Sequence, residues 1–210
     1  MYNISLICVF NNSKMKDIMV ESAKKQKDVN IEYILIDNTE KQFSSGASAL
    51  NYGVSLANHD CLVFTHQDIE FLDECALFNF AKYCSENPST LAGVAGVKKW
   101  RNRYLLAKFN NKINYCLYDT YIGESKNLYK SISIPTEAFN LDECFFVTNK
   151  RNFNDISFNE KICNGWHLYT VELCLQAKEK GIRISFIDSY TEEPVQDLTV
   201  ATDNLEAGEK

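Results

Sequence analysis

Two side chains able to hold a metal close one apolar run of the chain, Val63-Phe64-Thr65-His66-Gln67-Asp68-Ile69. Asp68 offers the hard oxygen that suits Mg²⁺ or Mn²⁺, and the imidazole of His66 suits Mn²⁺ better than Mg²⁺. A divalent cation at such a pair would neutralise the charge that develops on a diphosphate leaving group. The plainer alternative for Asp68 is a cap or turn after a strand. Asp37 closes another apolar run, where its carboxylate could accept from a base N–H or a ribose hydroxyl, or simply form a turn. Downstream, Ser44-Ser45-Gly46-Ala47-Ser48 opens a helix whose small side chains and free N–H groups could approach a diphosphate. Two other phosphate cradles are missing. The first apolar run ends in Phe10-Asn11-Asn12-Ser13-Lys14, which is neither GxGxxG nor GxxxxGK[ST].

The elements that must position these residues alternate in kind. Residues 4–10, 31–36, 61–65 and 91–97 are short apolar runs of the sort that form strands covered on both faces. Between them lie stretches with apolar side chains at helical spacing. Ser13 is the predicted cap of the first helix, with Met15, Ile18, Met19 and Ser22 or Ala23 on its inner side. Ala47, Leu50, Val54 and Ala57 line the second helix, over 45–58, and Leu77, Phe80, Ala81 and Cys84 the third, over 73–86. This rhythm implies right-handed βαβ units and an α/β fold with a mainly parallel sheet. Ligands of such sheets sit beyond the carboxyl ends of the strands, where Asn11, Asp37 and His66 to Asp68 fall.

Residues 98–137 break the rhythm and are expected to form a hairpin or lid, a candidate acceptor-side flap. Strand character returns at 143–148 and 182–187, and a helix over 168–180 is stopped by Gly181. One domain over residues 1–190 and a loose acidic tail over 191–210 are expected.

Composition narrows the partners. A formal net charge of −6 is wrong for a nucleic-acid surface, which needs clustered cations. The apolar start at residues 1–10 lacks a basic lead and is too short for a signal peptide or a membrane span, so a strand is expected there. Eight cysteines are scattered singly and none forms CxxC, which favours buried free thiols in a reducing cytoplasm over disulfides or zinc.

The motifs also occur in a telling order. Ile4-Ser5-Leu6-Ile7-Cys8-Val9-Phe10-Asn11, then Tyr33-Ile34-Leu35-Ile36-Asp37-Asn38, then Gly46-Ala47-Ser48-Ala49-Leu50-Asn51-Tyr52-Gly53, then His66-Gln67-Asp68 resemble the ordered signature of family 2 glycosyltransferases, above all a bacterial subgroup whose metal triplet reads HQD. Leu141-Asp142-Glu143-Cys144-Phe145-Phe146, Phe158-Asn159-Glu160 and Gly165-Trp166-His167-Leu168-Tyr169 are similar to that subgroup's acceptor-side half. The resemblance implies a GT-A fold, with a Rossmann-like central sheet flanked by helices. It further implies inverting, metal-assisted transfer from a nucleotide-sugar donor to a glycan, lipid-linked or protein acceptor in bacterial glycan synthesis. On that basis Phe10, Asn11, Asp37 and Asn51 surround the nucleoside, and His66 and Asp68 hold the metal and diphosphate. Asp142 and Trp166 then face the acceptor. A core aromatic is the alternative for Trp166, against an exposed platform for a sugar ring.

Two departures stand out. Where the subgroup carries an aspartate to deprotonate the acceptor, this chain has Thr170, which cannot act as a base, so Glu172 and His167 become the candidates. The late metal-binding histidine has no counterpart in residues 187–193, so metal binding is expected to be weak, altered or supplied by Glu192. These departures also motivate a second reading, a domain that has lost transfer and serves as a nucleotide-sugar-binding or regulatory partner. A nucleotidyltransferase is disfavoured by the missing basic, glycine-rich loop.

Overall fold

Tyr2–Phe10 (β1) buries both of its faces: Ile4, Leu6, Cys8 and Phe10 join one buried cluster, and Ile7 and Val9 pack in the other. A strand covered on both sides belongs inside a sheet. It runs parallel to Val29–Asp37 (β2) on one side and Cys61–Thr65 (β3) on the other. In this computed structural model, which describes residues 1–97 and 135–187, six further strands follow. They are Thr90–Gly93 (β4), Gly96–Val97 (β5), Thr136–Glu137 (β6), Asn140–Leu141 (β7), Phe145–Asn149 (β8) and Arg183–Phe186 (β9). The main sheet has the order β2-β1-β3-β8-β4-β9-β6, and β5 pairs with β7 in a separate ribbon.

Helices Ser13–Ala23 (α1) and Ala76–Glu86 (α3) cover the face that carries Leu6 and Val63. Gly46–Leu56 (α2) and Tyr169–Glu179 (α4) cover the face that carries Ile7, Phe64 and Phe146. Gly53 permits the close seat of α2, because a Cβ there would lie 2.6 Å from Ile7 Cγ2 and 2.9 Å from Ile36 Cδ1.

The expected α/β class is present, with four corrections. The fourth predicted strand is cut at Gly93: Gly96, at φ +147, turns the chain off the sheet, and Asp142 N–H donates to Ala95 O at 2.8 Å. The segment at 143–148 forms β8, which enters antiparallel between β3 and β4, so the sheet is mixed. Asn12, not Ser13, caps α1, accepting from Lys14 and Met15 N–H, while Ile18 is 57% exposed instead of facing inward. Residues 136–137 are the sheet's edge strand and not part of a flap; the remainder of the predicted lid, 98–134, and the predicted tail with Glu192 lie outside the described residues. Every described cysteine is a free thiol, and burial pushes Cys8 up to about 12. Among the described residues no helix is long and apolar enough to cross a membrane.

Candidate functional site

The carboxyl ends of β1 and β3 lie side by side, and Gln67 ties them together. Its Oε1 accepts from the N–H groups of Asn11 at 3.0 Å and Asn12 at 2.8 Å, while its Nε2 donates to Asn11 Oδ1 at 2.8 Å. Above this clamp opens a cleft of about 720 Å³, large enough for a nucleotide-sized ligand. Phe10, Asn11, His66 and Asp68 line it, as do Asn38, Lys41, Glu143, Trp166 and Tyr169.

His66 is held at two points. Its backbone N–H donates to Cys144 O at 2.9 Å, across the β3–β8 pairing, and its Nε2 lies 3.1 Å from the Tyr169 hydroxyl. Burial lowers the histidine's proton affinity against the opposing pull of Asp68 and Asp142, which favours a neutral imidazole. Tyr169 is buried, and desolvation pushes its phenol well above the ordinary tyrosine range, so it stays a hydroxyl. With Nε2 against the Tyr169 hydroxyl, a ligand would be met by Nδ1 in the tautomer that carries its proton on Nε2. Asp68 is exposed at the cleft.

This donor set suits a cation that completes its shell with phosphate oxygens and water, since Mg²⁺-type sites use one or two protein ligands beside the substrate's phosphates. Among the described residues no group of three His, Cys, Asp or Glu side chains converges on one point. Of such side chains His66, Asp68 and Glu143 line the cleft.

The second wall arrives from residues 141–169. Trp166 is 41% exposed and lines the cleft, so it is not a core aromatic. Tyr169 and Trp166 pack on Gly46, where a Cβ would meet Tyr169 Cε1 at 2.8 Å and Trp166 Cε3 at 3.6 Å. Glu143 has a side chain only 14% exposed, and the backbone N–H groups of Leu168 and Tyr169, where α4 begins, favour its ionised form. Burial is the larger influence and raises its pKa above the usual glutamate value.

Several predicted site residues are placed elsewhere. Asp37 is exposed and turned back on its own chain, accepting from Thr39 N–H at 2.8 Å and Thr39 Oγ1 at 2.7 Å. Those two bonds lower its pKa, and it lines a neighbouring groove along β2 instead of the cleft. Its neighbour Asn38 faces the cleft, fixed by accepting Phe43 N–H at 2.8 Å. Asn51 is taken up in structure: its amide donates to Phe158 O and Glu160 Oε1, both at 2.8 Å, and accepts from Phe158 N–H at 3.1 Å. The N–H of Gly46 is not open to a phosphate either, since it donates to Gly165 O at 2.9 Å.

The acceptor-side candidates also shift. Asp142 is exposed, accepts from Cys144 N–H at 2.9 Å and does not line the cleft, whereas Glu143 beside it does. Glu172 faces away: Asn159 donates to its Oε1 at 3.2 Å and Gln176 to its Oε2 at 2.6 Å. His167 is 89% exposed, with Nδ1 3.8 Å from Glu143 Oε2. Thr170 is fully buried. Glu143, Tyr169, Gln67, Asn38 and Lys41 were missed by sequence reasoning. Gln67, Asn38, Glu143 and Tyr169 each stand inside a motif quoted above, near the residue that was chosen from it, and only Lys41 carried no signal.

Known proteins supply the context. The family described as "Glycosyltransferase like family" matches the chain over residues 5–204. No curated protein matches it in sequence. Among solved structures, a Drosophila β1,4-galactosyltransferase 7 variant with manganese, UDP-Gal and xylobiose has a TM-score of 0.53 at 12% identity, covering 89% of this chain and 65% of its own. S. aureus TarS 1–349 in complex with UDP-GlcNAc has a TM-score of 0.56 at 14% identity, covering 94% and 60%. GalNAc-T7 with UDP, GalNAc and Mn²⁺ has a TM-score of 0.61 at 9% identity, covering 92% and 45%. At such identities the likeness is one of fold, and the chain spans less than two-thirds of each of these structures.

Proposed function

We propose, for a chain that belongs to the glycosyltransferase-like family, that it transfers a sugar from a nucleoside-diphosphate donor to an acceptor hydroxyl, with inversion, in bacterial glycan synthesis. One observation carries this reading: His66 and Asp68 share a nucleotide-sized cleft with Trp166 and Glu143, so a diphosphate side and an acceptor side face each other. Phe10, Asn11 and Asn38 form the nucleoside end, and Lys41 brings a cation toward the phosphates. Asp68 and His66 would hold a divalent cation, which when bound supplies charge neutralisation to the departing diphosphate. Trp166 offers an aromatic face to a sugar ring of donor or acceptor. Buried free thiols suit a reducing compartment such as the cytoplasm.

The test is thermal stabilisation by UDP or another nucleoside diphosphate with and without Mn²⁺, since a ligand that binds the folded state raises its stability in proportion to affinity. Stabilisation that needs the cation, and that Asp68→Ala abolishes, is the expected outcome. Equal stabilisation of the wild type and Asp68→Ala would remove the assigned metal site.

A second reading, binding without transfer, is favoured by the burial of Thr170 and the engagement of Glu172 away from the cleft. It predicts nucleotide stabilisation with no release of nucleoside diphosphate from any donor.

A further inference from the structure

We infer that Glu143 is the general base that takes the proton from the acceptor hydroxyl, an assignment that rests on the transferase reading above. Among the described residues two carboxylates line the cleft, Asp68 and Glu143. Asp68 follows β3 on the diphosphate side, so the carboxylate left for the acceptor is Glu143. The fold brings it there directly. Thr65 pairs with Phe145 at the end of the β3–β8 ladder, and His66 N–H reaches Cys144 O, so Glu143 arrives beside the triplet on the wall that also carries Trp166.

Two opposed influences act on its carboxylate. The backbone N–H groups of Leu168, at φ +68 just ahead of α4, and of Tyr169 favour the ionised form. Burial meanwhile raises the carboxylate's proton affinity, which brings a glutamate closer to what a base needs near neutral pH. The titratable groups around it are Asp142, Cys163, His167 and Tyr169. Thr170, which stands in the first turn of α4 where the resemblance led to the expectation of an aspartate, is fully buried, and neither Glu172 nor His167 lines the cleft.

The step balances. The acceptor O–H proton passes to the Glu143 carboxylate, and the freed oxygen pair forms the bond to the anomeric carbon. The bond from that carbon to the donor's phosphate oxygen breaks, and its electron pair leaves on the nucleoside diphosphate. The proton on Glu143 then returns to solvent.

The test compares the wild type with Glu143→Gln and Glu143→Asp in nucleoside-diphosphate release from UDP-, GDP- and dTDP-sugars with Mn²⁺, from about pH 5 to about pH 9. Gln matches Glu in size and shape, so Glu143→Gln is expected to fold and to be stabilised by the nucleotide as the wild type is. Its turnover is expected to fall by at least about a hundredfold and to lose the acid limb of the wild-type pH profile, while Glu143→Asp keeps that limb at a reduced kcat. Should Glu143→Gln not fold, Glu143→Asp alone decides, because an unchanged rate and profile there overturn the assignment. Turnover of Glu143→Gln within about threefold of wild type, with the acid limb intact, overturns the base and leaves the transferase reading standing. A wild type that binds nucleotide yet turns over no donor overturns both.

Discussion

Phe10, Asn38 and His66 reach the cleft as residues at or just beyond the ends of three neighbouring parallel strands, whereas Glu143, Trp166 and Tyr169 reach it from a strand entry, a loop and a helix start. The first wall is placed by main-chain ladders, and one side chain, Gln67, locks its two central strands. The second wall is placed by packing across long sequence distances. Phe158 sits against Phe64, Phe146, Phe153 and Tyr169, with ring centroids 5.5 to 6.4 Å apart. Asn51 on α2 pins the Phe158 backbone, and Gly46 receives Tyr169. A wall of ladders tolerates the loss of one side chain, while a wall of packed rings transmits each loss to the cleft residues it carries.

Substitutions in the second wall should therefore cost most. Phe158→Ala removes a ring that is 1% exposed and touches four others, and it is expected to destabilise the chain by about 3–5 kcal/mol in urea unfolding. A loss under about 1.5 kcal/mol would mean that the wall does not depend on this cluster. Gly46→Ala comes next. The new methyl must displace Tyr169, whose ring it would meet at 2.8 Å, at a cost of about 1–3 kcal/mol for overpacking. Because Tyr169 also holds His66, the same variant is expected to weaken stabilisation by nucleotide and Mn²⁺. A variant with lowered melting temperature and unchanged nucleotide stabilisation would show the two walls to be independent.

The same contrast governs what the sequence discloses. The strands β1 and β3 were legible because burial on both faces leaves an apolar run, the edge strand β2 was legible through its apolar stretch Tyr33-Ile34-Leu35-Ile36, and the triplet at the end of β3 stood out. Direction and register were not. Nothing local to Phe145–Asn149 states that it runs antiparallel between β3 and β4. Asp142 and Glu143 are both plausible acids, and which one faces the cleft depends on the bend before β8, where Asp142 is turned to accept Cys144 N–H. The structural use of Asn51 rests on partners 107 and 109 residues away, which no short window contains. Asp37 was different: its bonds to Thr39 form the local Asx turn that Asp-x-Thr permits, so the turn reading was available from the start.

The smallest expected effect tests whether the second wall carries any chemistry at Thr170, where the resemblance to family 2 glycosyltransferases led to the expectation of an aspartate. Thr170 is fully buried in the first turn of α4, and its hydroxyl finds no hydrogen-bond partner among the described residues. A buried hydroxyl left unsatisfied costs free energy that an apolar group of the same shape does not. Thr and Val also have similar helix propensities, so backbone preference should not confuse the comparison. Thr170→Val is accordingly expected to be neutral or to stabilise by up to about 1 kcal/mol in urea unfolding, with donor turnover at the wild-type level. Destabilisation by more than about 1 kcal/mol would reveal a partner for the hydroxyl, and a fall in turnover would return the acceptor's proton to α4 and away from Glu143.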